Sequence, residues 1–185
     1  MRPTLWRTCR VLANRKRLHL LFDVVHSPGG LTVGEAARRS RLSLPVASQY
    51  LRALGARGLL TARRNGPRVR YVAKTNPAVE GAAELLRAII ETRASSESIV
   101  LALTAFTHPR RIELAQCLSE RWRPVATIRR QTRISRAALK RHLAKLEHRG
   151  LVERDAQSRV RCQCPSDGVL RTLLDLARAS SVNPP

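Results

Sequence analysis

Acidic residues are scarce in this chain of 185 residues: 13 Asp and Glu stand against 35 Lys and Arg, a formal charge of +22. Such an imbalance repels itself in a compact state and calls for a polyanionic partner, either nucleic acid or an anionic membrane surface. Aromatic residues make up 3%, too few for the stacking platforms that hold single-stranded nucleic acid, so duplex DNA is the better-matched polyanion. No run approaches the ~20 apolar residues of a membrane span. Arg and His also interrupt Met1 to Phe22, where a signal peptide needs an apolar core. The expectation is a cytoplasmic, nucleoid-associated chain with no membrane partner. The four cysteines, Cys9, Cys117, Cys162 and Cys164, then predict reduced thiols rather than a disulfide framework. A glycine-rich phosphate loop and a nucleophile elbow are both missing and the acids are scattered singly, so neither an enzyme nor a cofactor is expected.

What the chain does contain is an internal repeat. Leu51-Arg-Ala-Leu-Gly-Ala-Arg-Gly-Leu-Leu60 matches Leu143-Ala-Lys-Leu-Glu-His-Arg-Gly-Leu-Val152 at an offset of 92, carrying Gly58 onto Gly150. Upstream, Leu12–Leu18 matches Phe106–Ile112 at 94, and downstream Pro77 with Leu85-Leu86 matches Pro165 with Leu173-Leu174 at 88. The order is kept while loop lengths change.

Both copies predict the same elements. In the first, Leu12, Leu18, Leu21, Phe22 and Val25 mark an amphipathic helix that stops at Ser27-Pro-Gly-Gly30. Thr32 with Glu35 is a capping box for a helix over Val33–Arg41. Ser43 caps the next helix, Pro45 occupies its first turn, and Gly58 ends it. Leu59–Val72 alternates around Asn65-Gly66, a hairpin signal. The second copy predicts helices over Val125–Arg133 and Arg136–Arg149, a hairpin around Asp155–Ser158, and a last helix over Asp167–Ala179. Between the copies, Ala78–Thr104 reads as helix, with Ser95-Ser96 a possible break.

The fold class expected is mainly α with small β-hairpin wings: two tandem winged helix-turn-helix domains joined by a helical linker. The boundaries are domain 1 over 1–76, linker helices over 77–104, domain 2 over 105–164, and a C-terminal helix and tail over 165–185.

Leu12-Ala-Asn-Arg-Lys-Arg-Leu-His-Leu-Leu, Leu31-Thr-Val-Gly-Glu-Ala-Ala, Leu42–Leu54 and the Arg-Asn-Gly-Pro-Arg-Val-Arg-Tyr hairpin resemble, in register, the ArsR family of bacterial repressors. The resemblance covers residues 5–90 closely and 100–178 more weakly. It implies a duplex-DNA-binding transcriptional regulator, a repressor, whose Ser43-capped helix enters the major groove while the hairpin lies along the backbone or the minor groove. Metal-sensing members carry Cys-x-Cys on the recognition helix or acidic and His ligands on the last helix; this chain has neither, which argues against a metal sensor. Ordinary members dimerise to present two reading heads. Two in one chain imply an intramolecular pseudo-dimer, with Ala78–Thr104 and Asp167–Ala179 packing on Leu5–Val25; a further homodimer stays open.

On the first recognition helix, burying Ala47, Leu51 and Leu54 turns Ser43, Pro45, Val46, Ser48, Gln49 and Arg52 outward. Gln49 suits adenine, Ser48 a base edge or phosphate, and Arg52 guanine or phosphate. The second helix buries Leu139, Leu143 and Leu146 and exposes Arg136, Lys140, Arg141 and Lys145, a set suited to phosphate anchoring. The hairpins add Arg63, Arg64, Arg68 and Arg70, then Arg154, Arg159 and Arg161, for phosphate or the minor groove. Cys162 and Cys164, two apart on an expected strand, would share a face and either sense oxidant or offer two ligands to a soft metal, an incomplete site. His19, His26, His108, His142 and His148 lack ligand spacing. Two other readings remain open: a non-specific architectural DNA-binding protein, and a winged-helix protein-interaction module.

Overall fold

The computed structural model describes residues 4–180, and it is mainly helical with small antiparallel sheets. Its first half runs α1 (Leu5–Leu12), α2 (Arg15–Val25), β1 (Leu31–Thr32), α3 (Val33–Arg39), α4 (Leu44–Gly55), β2 (Thr61–Asn65), β3 (Arg68–Val72) and α5 (Ala82–Glu91). The second half follows the same order: α6 (Ser96–Leu103), α7 (Pro109–Cys117), β4 (Arg123–Pro124), α8 (Val125–Thr132), α9 (Arg136–Glu147), β5 (Val152–Arg154), β6 (Arg159–Cys162) and α10 (Gly168–Ala179). Each half forms a three-stranded antiparallel sheet with its third strand in the middle, β1-β3-β2 and β4-β6-β5.

Local chemistry explains most helix starts. Thr32 and Glu35 form the expected capping box on α3, Ser135 accepts from the Ala138 amide, and Asp167 accepts from the Leu170 amide. These bonds satisfy first-turn N–H groups that have no partner inside the helix. Ser95 likewise caps α6, which divides the expected 78–104 helix into α5 and α6.

Four expectations are corrected. The first amphipathic helix is two helices: Asn14 leaves helical geometry and its side chain accepts the Arg17 amide, starting α2 afresh. His108, which the repeat aligns with Asn14, does the same for α7 through its ring nitrogen. Helix α4 stops at Gly55, and a turn carries the chain to Gly58. The first hairpin turns at Gly66-Pro67 rather than Asn65-Gly66, since Asn65 pairs with Arg68; Gly66 takes the first central position with φ +61°, where a side chain would be strained.

The fourth correction concerns packing between the halves. Helix α6 lies on α1 and α2 as expected, but α10 packs principally on α5, α6 and α7. Equivalent helices therefore meet: α1 with α6, and α5 with α10. Gly81 permits the second approach, because a Cβ there would come within 2.8 Å of the Leu176 side chain on α10. One continuous apolar core results, from Leu12, Leu18 and Leu51 through Ile99 and the fully buried Phe106 to Leu143 and Leu173.

Candidate nucleic-acid interface

Helix α4 buries Ala47, Leu51 and Leu54 against the core. Opposite them Ser43, Pro45, Gln49 and Arg52 are exposed, while Val46 and Ser48 are half-buried rather than fully outward. The Arg52 guanidinium donates to the Ser48 hydroxyl at 2.8 Å, so these two polar ends sit together one turn apart. Ser43 provides the helix start through its backbone alone, and its hydroxyl makes no capping bond.

Beside α4 the first hairpin projects Arg63, Arg64 and Arg68, all exposed and without an acidic partner among the described residues. Arg70 is different. It lies on the middle strand, donates to the Gly30 carbonyl at 2.8 Å, and pairs with Glu35 at 3.0 Å. It ties the sheet to the start of α3, a contact that its expected role at phosphate or the minor groove does not include. Hydrogen bonds from Thr32 and then the Arg70 charge hold the Glu35 carboxyl below its ordinary pKa.

The second half distributes its charge otherwise. Arg136, Lys140 and Arg141 on α9 are exposed with no acidic partner among the described residues. Lys145 is half-buried, and burial with the nearby Arg149 and Arg111 lowers its pKa. The hairpin arginines are each matched by an acid: Arg154 with Glu147 at 3.7 Å, Arg159 with Asp155 at 2.6 Å, and Arg161 with Glu153 at 2.7 Å. Arg159 and Arg161 also lie over the Trp122 ring, 5.8 and 4.7 Å from its centroid. The expected contact of these three with phosphate or the minor groove does not include these acidic partners.

Two arginines that the repeat aligns, Arg17 and Arg111, secure the base of each unit. Arg111, 8% exposed, donates to the carbonyls of Ala105 and Thr104 and to the Thr107 hydroxyl. Arg17 donates to the Val11 carbonyl and lies 5.0 Å from the Tyr50 ring centroid. At the position of Tyr50 the second half has His142, its ring 4.5 Å from that of His108. Burial, followed by the charges of His108, Arg111, Arg141 and Arg110, pushes the His142 imidazole down to about 4.

The two-cysteine expectation is also corrected. Strand β6 ends at Cys162, which is buried, and Cys164 lies beyond it, exposed, so the pair does not share a strand face. Among the described residues no group of three His, Cys, Asp or Glu side chains is placed to hold a metal ion, and no helix is long and apolar enough to cross a membrane.

Two features escaped sequence reasoning: the two-residue strands β1 and β4, and the acids that pair with the second hairpin. The latter carry a signal, since Glu153 and Arg161 face each other across the strands and Asp155 and Arg159 flank the turn.

Residues 108–154, from the cap of α7 to the end of β5, match the family model described as bacterial regulatory protein, arsR family. The matched stretch lies in the second half, whereas the sequence resemblance was closer over 5–90. No curated protein and no solved structure matches the chain.

Proposed function

We propose that the chain is a duplex-DNA-binding transcriptional regulator, a repressor of the ArsR kind, in which two winged helix-turn-helix units act as an intramolecular pseudo-dimer. The observation that carries it is the set of exposed cations without acidic partners on α9 and on the hairpin beside α4, in a chain of net charge +22. Phosphate neutralisation by such cations supplies sequence-independent affinity, and Ser48, Gln49 and Arg52 supply donors and acceptors for base edges. The family match over 108–154 supports the regulator class. The contacts of α1 with α6 and of α5 with α10 support the pseudo-dimer, because self-complementary pairing of equivalent surfaces is the property of a two-fold interface. No catalytic step is assigned.

Repeated selection from a random-sequence duplex pool tests this reading. It expects an enriched sequence bound in the presence of unrelated competitor DNA, with affinity that falls linearly against salt on logarithmic axes. Failure to bind any duplex at low salt would overturn it. One observation favours a second reading, a non-specific architectural protein: α9 exposes Arg136, Lys140 and Arg141 but no amide side chain. Binding without any enrichment would select that alternative.

A further inference from the structure

Leu44, the first residue of α4, is 59% exposed. Single exposed leucines are ordinary on protein surfaces, but this one belongs to a cluster. With Val33, Pro45, Ser48, Gln49 and Arg52 it lines a groove of about 480 Å³. On its other side a second groove, between α3 and the first hairpin, brings in Leu42 and Val69 with Arg68 at its edge. An apolar strip thus crosses the start of α4, bordered by the cations and the amide of the candidate interface. The repeat places Arg136 at the corresponding position of α9, beside a groove lined by Val125, Ala126 and Leu139, so the exposed leucine, rather than the groove, is particular to the first unit.

Recognition helices contact base edges through their N-terminal residues, and thymine is the base that presents a methyl group in the major groove. We infer that Leu44, flanked by Pro45 and Val33, reads thymine by packing against its C5 methyl group, while Gln49 and Arg52 address neighbouring base edges. This inference rests on the duplex-DNA reading above and adds a specificity element to its first unit. With Arg136 in place of Leu44, the second unit has no equivalent methyl contact.

The test uses the full chain and the duplex enriched by selection, with each thymine replaced in turn by deoxyuridine, which removes only the methyl group. At one or two positions within a single half of the site, the replacement should weaken binding about 4-fold, the worth of one buried methyl-sized group. Leu44→Ala should abolish that difference while retaining affinity for the deoxyuridine duplex; an unchanged melting temperature shows that the variant folds. Wild-type protein indifferent to every replacement would overturn the inference, as would a Leu44→Ala protein that keeps the full penalty. A Leu44→Ala variant that alters self-association in sedimentation but not the thymine preference would also overturn it, assigning the strip to a second copy. In all three outcomes duplex binding persists, whereas loss of all duplex binding by the wild type overturns the underlying DNA reading.

Discussion

The two hairpins of this protein follow one topology and both are rich in arginine, yet they present different charge to solvent. In the first, Arg63, Arg64 and Arg68 are unopposed by any acid among the described residues, and only Arg70 is drawn inward, to Glu35. In the second, Glu147, Asp155 and Glu153 answer Arg154, Arg159 and Arg161 one for one. A cation already paired gains less from a phosphate, because its existing partner has to be given up or tolerated. The number of arginines on an element therefore does not measure the charge it offers to DNA; the acids within reach decide that.

The halves differ just as much in how they are held together, and substitution at aligned positions measures the difference. The largest effect is expected at Arg111. Removing it as Arg111→Ala breaks three bonds at a buried site and should cost about 3 kcal/mol in urea unfolding. Its counterpart Arg17→Ala, with one bond and one ring contact, should cost about 1 kcal/mol. Equal losses would contradict the assignment of a heavier structural role to Arg111.

Next come the exposed faces of α4 and α9. Gln49→Ala with Arg52→Ala on α4 should reduce preference for the selected sequence over unrelated DNA by roughly 10- to 100-fold, the worth of one to two base-edge hydrogen-bond pairs. Lys140→Ala with Arg141→Ala on α9 should weaken both duplexes alike. Titrations against the two duplexes check this, and the same loss of preference from either pair would remove the division of labour between the units.

Smaller effects concern helix starts and pH. Thr32→Ala opens the capping box of α3 and should cost about 1 kcal/mol; Pro124→Ala at the start of α8, where no side chain caps the helix, should not show that loss. His142 stays neutral in the folded protein down to about pH 4, while in the unfolded chain it takes up a proton near its ordinary value of 6.5. Stability is therefore expected to fall as pH drops below 6.5, because the unfolded state binds the proton first, and this contribution levels off below about 4. His142→Tyr, which installs the residue found at position 50, should reduce the slope of unfolding free energy between about pH 6.5 and 5.5 without removing it, because burial and nearby arginines also hold His108 below its ordinary value. An unaltered slope would show that His142 is not the group responsible.

Much of the fold was legible in the sequence because its signals are local. The Thr32/Glu35 box and the Ser95 break each depend on residues within one turn, and each forms as expected; the Asp167 cap, equally local, stands where the first residue of its helix is expected instead. The Asn14 restart was missed because one polar residue inside an apolar periodicity also fits a continuous helix. Strands β1 and β4 have two residues each, too few for any alternation to register. At the interface, periodicity sorted exposed from buried positions on α4 and α9, but it was blind to partners that the fold brings in from elsewhere. Arg70 meets Glu35 across a distance in sequence, and Leu44 stands out only once Val33, Leu42 and Val69 are seen beside it.

The proposal that the two units grip duplex DNA unequally is tested most directly by the salt dependence of binding for two triple variants. Arg63→Gln, Arg64→Gln and Arg68→Gln together should lower the log–log slope by up to about 2.7, at about 0.9 for each phosphate no longer neutralised. Arg154→Gln, Arg159→Gln and Arg161→Gln together should lower it by less than about 1. Equal reductions in the two variants, or a larger one in the second, would contradict the claim.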